Sequence, residues 1–218
     1  MITTTTFSFL KDLSKNNTRE WMLAHKAQYE AARKEFEELV AALILETTKF
    51  DKSIAHLTPK DCIFRLNRDI RFSKEKTPYK THFGAYICSK GRKSSHPGYY
   101  LHLEPGKCFA GGGNYMPMPD ELQKIRQEID YNPNEWKAII NKASFKKIFG
   151  EVQGDRLKTA PKGYDKDHPM LKHIQLKQFY VMSSVSDSVL KSDDAPKTIA
   201  KIFKEQVPLN QFLIKAVE

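Results

Sequence analysis

Three cysteines, Cys62, Cys88 and Cys108, are all that the 218 residues offer for sulfur chemistry, and no two of them form a CxxC pair. An odd, scattered set argues against a disulfide framework or a thiolate zinc site and leaves reduced, buried thiols as the expectation. Long apolar runs are missing too. The longest nearly apolar stretch, Leu39 to Leu45, is far too short to span a bilayer. Met1 to Leu13 lacks the basic region and long apolar run of a signal peptide. A cytoplasmic protein with no membrane partner is expected.

The familiar signatures of catalysis are also absent. No serine sits in GxSxG, and no cysteine is flanked by a nucleophile motif. His96, His102, His168 and His173 show neither i, i+4 helical pairing nor an HExxH pattern, so no metal is expected. Gly111-Gly112-Gly113 is followed by Asn114 to Met118, not by Lys-Ser/Thr or a helix start. It matches neither a P-loop nor a dinucleotide fingerprint and points to a bulge or a close strand contact. The carboxylate pairs Asp165/Asp167 and Asp193/Asp194 lie in polar stretches where capping is the simpler role. No cofactor is expected.

What the chain does have is positive charge, unevenly placed. Residues 60–93 carry ten Lys/Arg against three Asp/Glu, whereas residues 1–59 carry eight of each, within a formal net charge of +10. Most of the excess therefore falls on about one sixth of the chain, which points to an anionic partner.

Hydrophobic periodicity places the elements. Asn17 with Glu20 resembles a capping box that opens a helix to about Glu46, with its stripe through Trp21, Ala24, Gln28, Ala31, Ala32, Phe36, Leu39, Val40 and Leu43. Residues 62–72 alternate as a strand would: Cys62, Phe64, Leu66, Ile70 and Phe72 face one way, and Arg65, Asn67, Asp69 and Arg71 the other. Arg68 interrupts the pattern, so either a bulge lies there or the guanidinium is inward and paired. Residues 82–89, 98–104, 108–110 and 178–184 read as further strands, with Glu104-Pro105-Gly106-Lys107 as a type II turn. Helices are expected from Pro119, from Pro133, over 195–206 and over 208–216. The chain is expected to be a single domain, 1–218. Its class is α+β: a mainly antiparallel sheet in the middle, packed with a long N-terminal helix and several C-terminal helices.

The candidate site is the basic strand and the loop after it. Arg65, Arg68, Asp69 and Arg71 offer guanidinium forks suited to phosphate or carboxylate, and Lys74, Lys76 and Lys80 add point charges. The plainer alternative is that Asp69 pairs with an Arg and the rest is a solvated face. Tyr79 and His82 follow the loop and are able to move protons. Basic residues interleaved with Tyr79, Tyr86, Tyr99 and Tyr100 fit the general recipe for single-stranded nucleic acid. No groove-reading or ribonucleoprotein motif accompanies them, so such binding is expected to be weak and nonspecific.

The block Arg68-Asp69-Ile70-Arg71-Phe72-Ser73-Lys74-Glu75-Lys76-Thr77-Pro78-Tyr79-Lys80-Thr81 resembles the hallmark of a family found in bacteria and fungi and catalogued only as a conserved domain of unknown function. Supporting matches are Asn16-Asn17 with Arg19-Glu20-Trp21, Pro97-Gly98-Tyr99-Tyr100 with Gly111-Gly112-Gly113, Leu157-Lys158, Pro161-Lys162-Gly163 and Asp167-His168-Pro169. The one departure is Glu75 where Asp is the expected residue, which keeps the charge. The resemblance spans Phe7 to Ala216 and implies no activity, cofactor or catalytic residue. Three functions remain open: binding of a phosphate- or carboxylate-bearing ligand around 65–82, with Lys158 and Lys162 contributing; an enzyme working there through Tyr79, His82 or His168; and a basic surface that docks an acidic partner.

Overall fold

The computed structural model describes residues 1–71 and 74–218. The apolar N-terminal segment is itself a helix, Thr4–Lys15 (α1), which buries Phe7, Phe9, Leu10 and Leu13. Its open amino end is satisfied from outside: the Glu35 carboxylate accepts from the Thr3 N–H at 2.9 Å and from both Thr3 and Thr6 hydroxyls.

The single long helix expected from Asn17 is two helices, Arg19–Ala24 (α2) and Lys26–Thr48 (α3). The break is at His25, whose Nδ1 lies 2.8 Å from the Trp21 carbonyl oxygen while its ring stacks on the Trp21 ring at 4.0 Å. A side chain that competes for a carbonyl in the helix ladder bends the helix at that point. The cap is also one residue later than expected: Thr18 Oγ1 accepts from the Trp21 N–H at 3.2 Å. Beyond the break the apolar stripe holds from Ala32 onward, with Ala32, Phe36, Leu39, Val40 and Leu43 buried. Ala24, Gln28 and Ala31, expected on the same stripe, are exposed, because among the described residues no element packs over the start of α3 on that side.

A turn of 3-10 helix at Lys52–Ile54 and a short helix, Pro59–Cys62 (α4), lead to an irregular ribbon. The sheet follows: Phe83–Ile87 (β1), Gly98–Leu103 (β2) and Phe109–Asn114 (β3). The turn between β2 and β3 has the expected geometry, with Gly106 at φ +76 and the Lys107 N–H donating to the Glu104 carbonyl at 2.9 Å. Four helices come next: Pro119–Tyr131 (α5), Pro133–Asn141 (α6), Ala143–Phe149 (α7) and Leu171–Ile174 (α8). The last strand, Phe179–Ser184 (β4), completes an antiparallel sheet of order β1-β2-β3-β4. Asp187–Leu190 (α9) and Ala195–Val217 (α10) close the chain. The protein is thus α+β, with ten α-helices and four strands among the described residues.

Instead of two C-terminal helices there is one of 23 residues, running straight past Pro208. An interior proline costs a helix about 3 kcal/mol. Here burial on both sides outweighs it: Ile199 and Phe203 are buried before the proline, and Leu209, Phe212 and Leu213 after it.

One face of the sheet, with Ala85, Tyr99, Leu101 and Ala110, packs with α1, α3 and the first half of α10. A second core gathers Trp136, Phe145, Phe179, Val181 and the second half of α10. The other sheet face carries Tyr86, Tyr100, His102 and Phe109, all half-buried. Among the described residues, no helix is long and apolar enough to cross a membrane.

Candidate functional site

The basic segment is anchored at both ends and irregular between them. Ile63 pairs with Ala85 at the free edge of β1, and the Phe64 N–H donates to the Gly84 carbonyl at 3.0 Å. Further on, Asn67 pairs with Tyr79, flanked by the Arg68 N–H to the Pro78 carbonyl (2.9 Å) and the Lys80 N–H to the Leu66 carbonyl (2.8 Å). These are isolated bridges, so the continuous strand expected over 62–72 is not formed; Cys62 is the last residue of α4. Proline explains why. Pro78 has no N–H to return to Arg68, and the ladder stops there. The sidedness survives without the ladder: Phe64, Leu66, Arg68 and Ile70 are buried or half-buried, while Arg65, Asn67, Asp69 and Arg71 are exposed. Phe72 and Ser73 lie outside the described residues.

The ribbon is tied to the helical layer by a side chain that imitates a strand partner. Asn17 Nδ2 donates to the Tyr79 carbonyl at 2.9 Å, and its Oδ1 accepts from the Tyr79 N–H at 3.1 Å. Asn17 thus holds the ribbon and does not cap a helix, joining two segments 62 residues apart.

The cations of the ribbon are largely committed to partners. Arg68 Nη1 donates to Thr77 Oγ1 and pairs with Glu75 Oε2, both at 2.7 Å, so of the two readings that the alternation allowed, the paired, half-inward guanidinium is the one that fits. Arg71 grips Asp69 with two bonds of 3.0 and 2.7 Å, and those bonds hold the Asp69 carboxyl down at about 2. Lys76 Nζ donates to the Ile70 carbonyl at 3.0 Å. Lys80 lies 5.4 Å from the centre of the Phe64 ring, and burial, then the neighbouring Arg65 charge, pushes its pKa down. Arg65 and Lys74 are exposed. Among the described residues, Tyr79 is the one of the nine sequence candidates that lines either of two recesses in the surface.

A groove of about 420 Å³ opens beside them, between the ribbon and α2–α3. Leu66, Asn67 and Tyr79 line it from the ribbon, and Arg19, Met22, Leu23, Lys26 and Tyr29 from the helices. Only Tyr79 among these was a site candidate from sequence. Arg19 was visible solely as part of the second block of the family resemblance, since nothing local marks a helix cation as facing a groove. A smaller recess, about 280 Å³, is lined by Asp61, Lys90, Gly91, Arg92 and Lys93.

His82 belongs to a different cluster. Its ring lies 4.2 Å from that of His102, and ligand atoms of His82, His102 and Glu104 fall within 4.8 Å of one another. Burial, with the nearby His102 second, takes the His82 pKa down to about 4. Sequence spacing could not show this group, because strand pairing assembles it. His168 is elsewhere: its Nε2 is 2.8 Å from Asp130 Oδ1, and its Nδ1 accepts from the Met170 N–H at 3.1 Å. Lys158 and Lys162 are on the loop whose Leu157 N–H donates to the Gln175 carbonyl, beside the second core.

No curated protein and no solved structure matches this chain. A family model does, and it covers residues 5–212, taking in α1, the ribbon, the whole sheet and most of α10. With Asn17 clamping Tyr79, two of the sequence blocks that carried the resemblance are parts of one joint, and the chain belongs to the family described as Conserved hypothetical protein (DUF2461).

Proposed function

We propose that the protein binds an anion with an apolar body, a phosphate or carboxylate carried on a hydrocarbon or aromatic group, in the groove between the ribbon and α2–α3. The observation that carries this reading is the composition of the groove walls. Two cations, Arg19 and Lys26, stand beside Met22, Leu23, Tyr29, Leu66 and Tyr79. Leu23 is 76% exposed, an apolar side chain held out on the groove wall. Cations next to an apolar wall suit an amphipathic anion better than free phosphate, which would leave that wall wet. Among the described residues, the Lys26 ammonium is paired loosely with the exposed Glu30, at 3.7 Å. Within the basic segment, Leu66, Asn67 and Tyr79 make the contact, and Arg65 and Lys80 add to the local positive field.

Titration with hexyl phosphate and octanoate, read by thermal shift and calorimetry, tests this. A ligand that binds only the folded chain adds about 2.7 kcal/mol of apparent stability at a hundredfold excess over its Kd. Both anions should raise Tm, inorganic phosphate should do so far less, and the Arg19→Ala/Lys26→Ala double variant should lose most of the effect. The reading fails if inorganic phosphate works as well as hexyl phosphate, or if the double variant binds like the parent.

A further inference from the structure

We propose that His82, His102 and Glu104 form a binding site for a divalent first-row transition-metal ion, on the sheet face turned away from the core. The site is separate from the groove and does not depend on it.

Register builds the cluster. Gly84 pairs with His102 and Phe83 with Leu103, so the next step along the antiparallel pair sets His82 opposite Glu104, just past the strand ends. With a period of two, His82, His102 and Glu104 all project from the same face. The residue opposite His102 is a glycine, and a Cβ at Gly84 would come within 2.6 Å of the Tyr100 hydroxyl. The bare backbone at Gly84 is therefore what lets the Tyr100 ring lie where it reaches His102.

The surroundings fix the ring that matters most. The His102 imidazole is stacked on Phe109, with centroids 4.6 Å apart and planes 13° apart, and meets His82 on its other side at 4.2 Å. Its Nδ1 is 3.2 Å from the Tyr100 hydroxyl, and its Nε2 is 3.1 Å from Glu104 Oε2. One nitrogen is thus held by a neutral oxygen partner, and the other is aimed at a carboxylate. This is the arrangement in which outer partners orient a metal-binding histidine: with Nε2 on a metal, the Nδ1–H donates to the Tyr100 oxygen. Glu104 is positioned as well, with its other oxygen 3.5 Å from Lys107 Nζ.

The donor set defines the class of ion. Two imidazole nitrogens and one carboxylate suit Zn²⁺, Fe²⁺, Co²⁺ or Ni²⁺ and not the all-oxygen preference of Mg²⁺ or Ca²⁺. Ligands about 2.1 Å from a tetrahedral ion stand roughly 3.4 Å from one another. The present spread of up to 4.8 Å closes to that by side-chain rotation, and the His102–Glu104 pair is already there. Three protein ligands leave a coordination position for water or an anionic donor.

The test uses the untagged full chain, stripped with chelator and titrated with Zn²⁺ against a competing chelator. Co²⁺ absorption on the parent protein reports directly on ligand geometry. We expect one Zn²⁺ per chain with a Kd of micromolar or below, unaffected by millimolar Mg²⁺. Glu104→Gln and His82→Gln should each weaken binding by at least tenfold, while Tyr100→Phe should weaken it by about tenfold with the stoichiometry kept, as outer-partner loss does. His56→Ala, at an exposed histidine, should bind like the parent. If His82→Gln fails to fold, Glu104→Gln, in the turn after β2, still decides the matter. The proposal is overturned if the parent takes up no Zn²⁺ at tens of micromolar, or if Glu104→Gln binds as tightly as the parent. Equal weakening in His56→Ala, or a Co²⁺ spectrum identical to that of the aquo ion, would overturn it too. The Tyr100–His102–Glu104 chain would then be a hydrogen-bonded relay and nothing more.

Discussion

Arg68 and Arg65 are three residues apart and face opposite ways, which makes them a matched pair of probes. The Arg68 side chain is 24% exposed and paired, but its partner Glu75 is 64% exposed. A fully buried pair broken by one substitution costs about 3–5 kcal/mol. Here the abandoned carboxylate hydrates easily, so Arg68→Ala should cost about 1–2 kcal/mol, and Arg65→Ala no more than about 0.5 kcal/mol. Denaturant melts of both variants beside the parent check this, and equal midpoints would refute it. His173 provides a pH signature. Its ring packs edge-on against Trp136 with centroids 5.8 Å apart, and burial, followed by the nearby Lys172 and Arg156 charges, lowers its pKa. The unfolded chain then takes up a proton more readily than the folded one, so stability falls as pH drops below the ordinary histidine value of about 6.5. His173→Gln should flatten the fall in Tm between about pH 7 and pH 5 relative to the parent. If the two Tm profiles stay parallel, His173 is not the group responsible. Arg68 was legible in the sequence because alternation is a local pattern. Arg19, Lys26 and Glu104 were not, because each is brought to its proposed site by a segment elsewhere in the chain.

The elements show where local chemistry was sufficient and where it was not. The starts of α5 and α6 at their prolines, the β2–β3 turn and the burial stripe of α3 follow from residues within a few positions of one another, and they were readable. Three features were not: the break at His25, the loss of the ladder at Pro78 and the survival of α10 through Pro208. The first comes from a ring taking a carbonyl, the second from a missing donor in a particular register, and the third from packing that overrides propensity. The triple glycine is an intermediate case. A close strand contact was foreseeable, but its partner was not. Gly112 has φ +141, and a Cβ there would overlap the Gly98 carbonyl oxygen and lie 2.8 Å from the Gln206 amide nitrogen. That amide donates to the Gly98 carbonyl at 2.9 Å, joining α10 to β2. Gly112→Ala should therefore lower stability by at least about 2 kcal/mol, through backbone strain together with overpacking. A variant that melts within a degree or two of the parent would show that α10 can retreat from the sheet at little cost.

For the whole molecule, charge and core tell different stories. A formal net charge of +10 with no groove-reading motif implies that any attraction to nucleic acid is a phosphate effect. Binding to a random single-stranded oligonucleotide, followed by fluorescence anisotropy, should weaken at least tenfold between about 50 and 200 mM salt. Tight, salt-insensitive binding to one sequence would contradict this. The core has its own consequence, because α10 is a beam common to both hydrophobic clusters, with Ile199 and Phe203 in one and Leu209, Phe212 and Leu213 in the other. Neither cluster can open without uncovering half of the same helix, and a helix half stripped of its packing in water is marginal. The two clusters should therefore melt as a single cooperative unit, with calorimetric and van't Hoff enthalpies in agreement. A second, resolved heat-absorption peak would mean that the beam can be severed, with Pro208 the natural place for it to part.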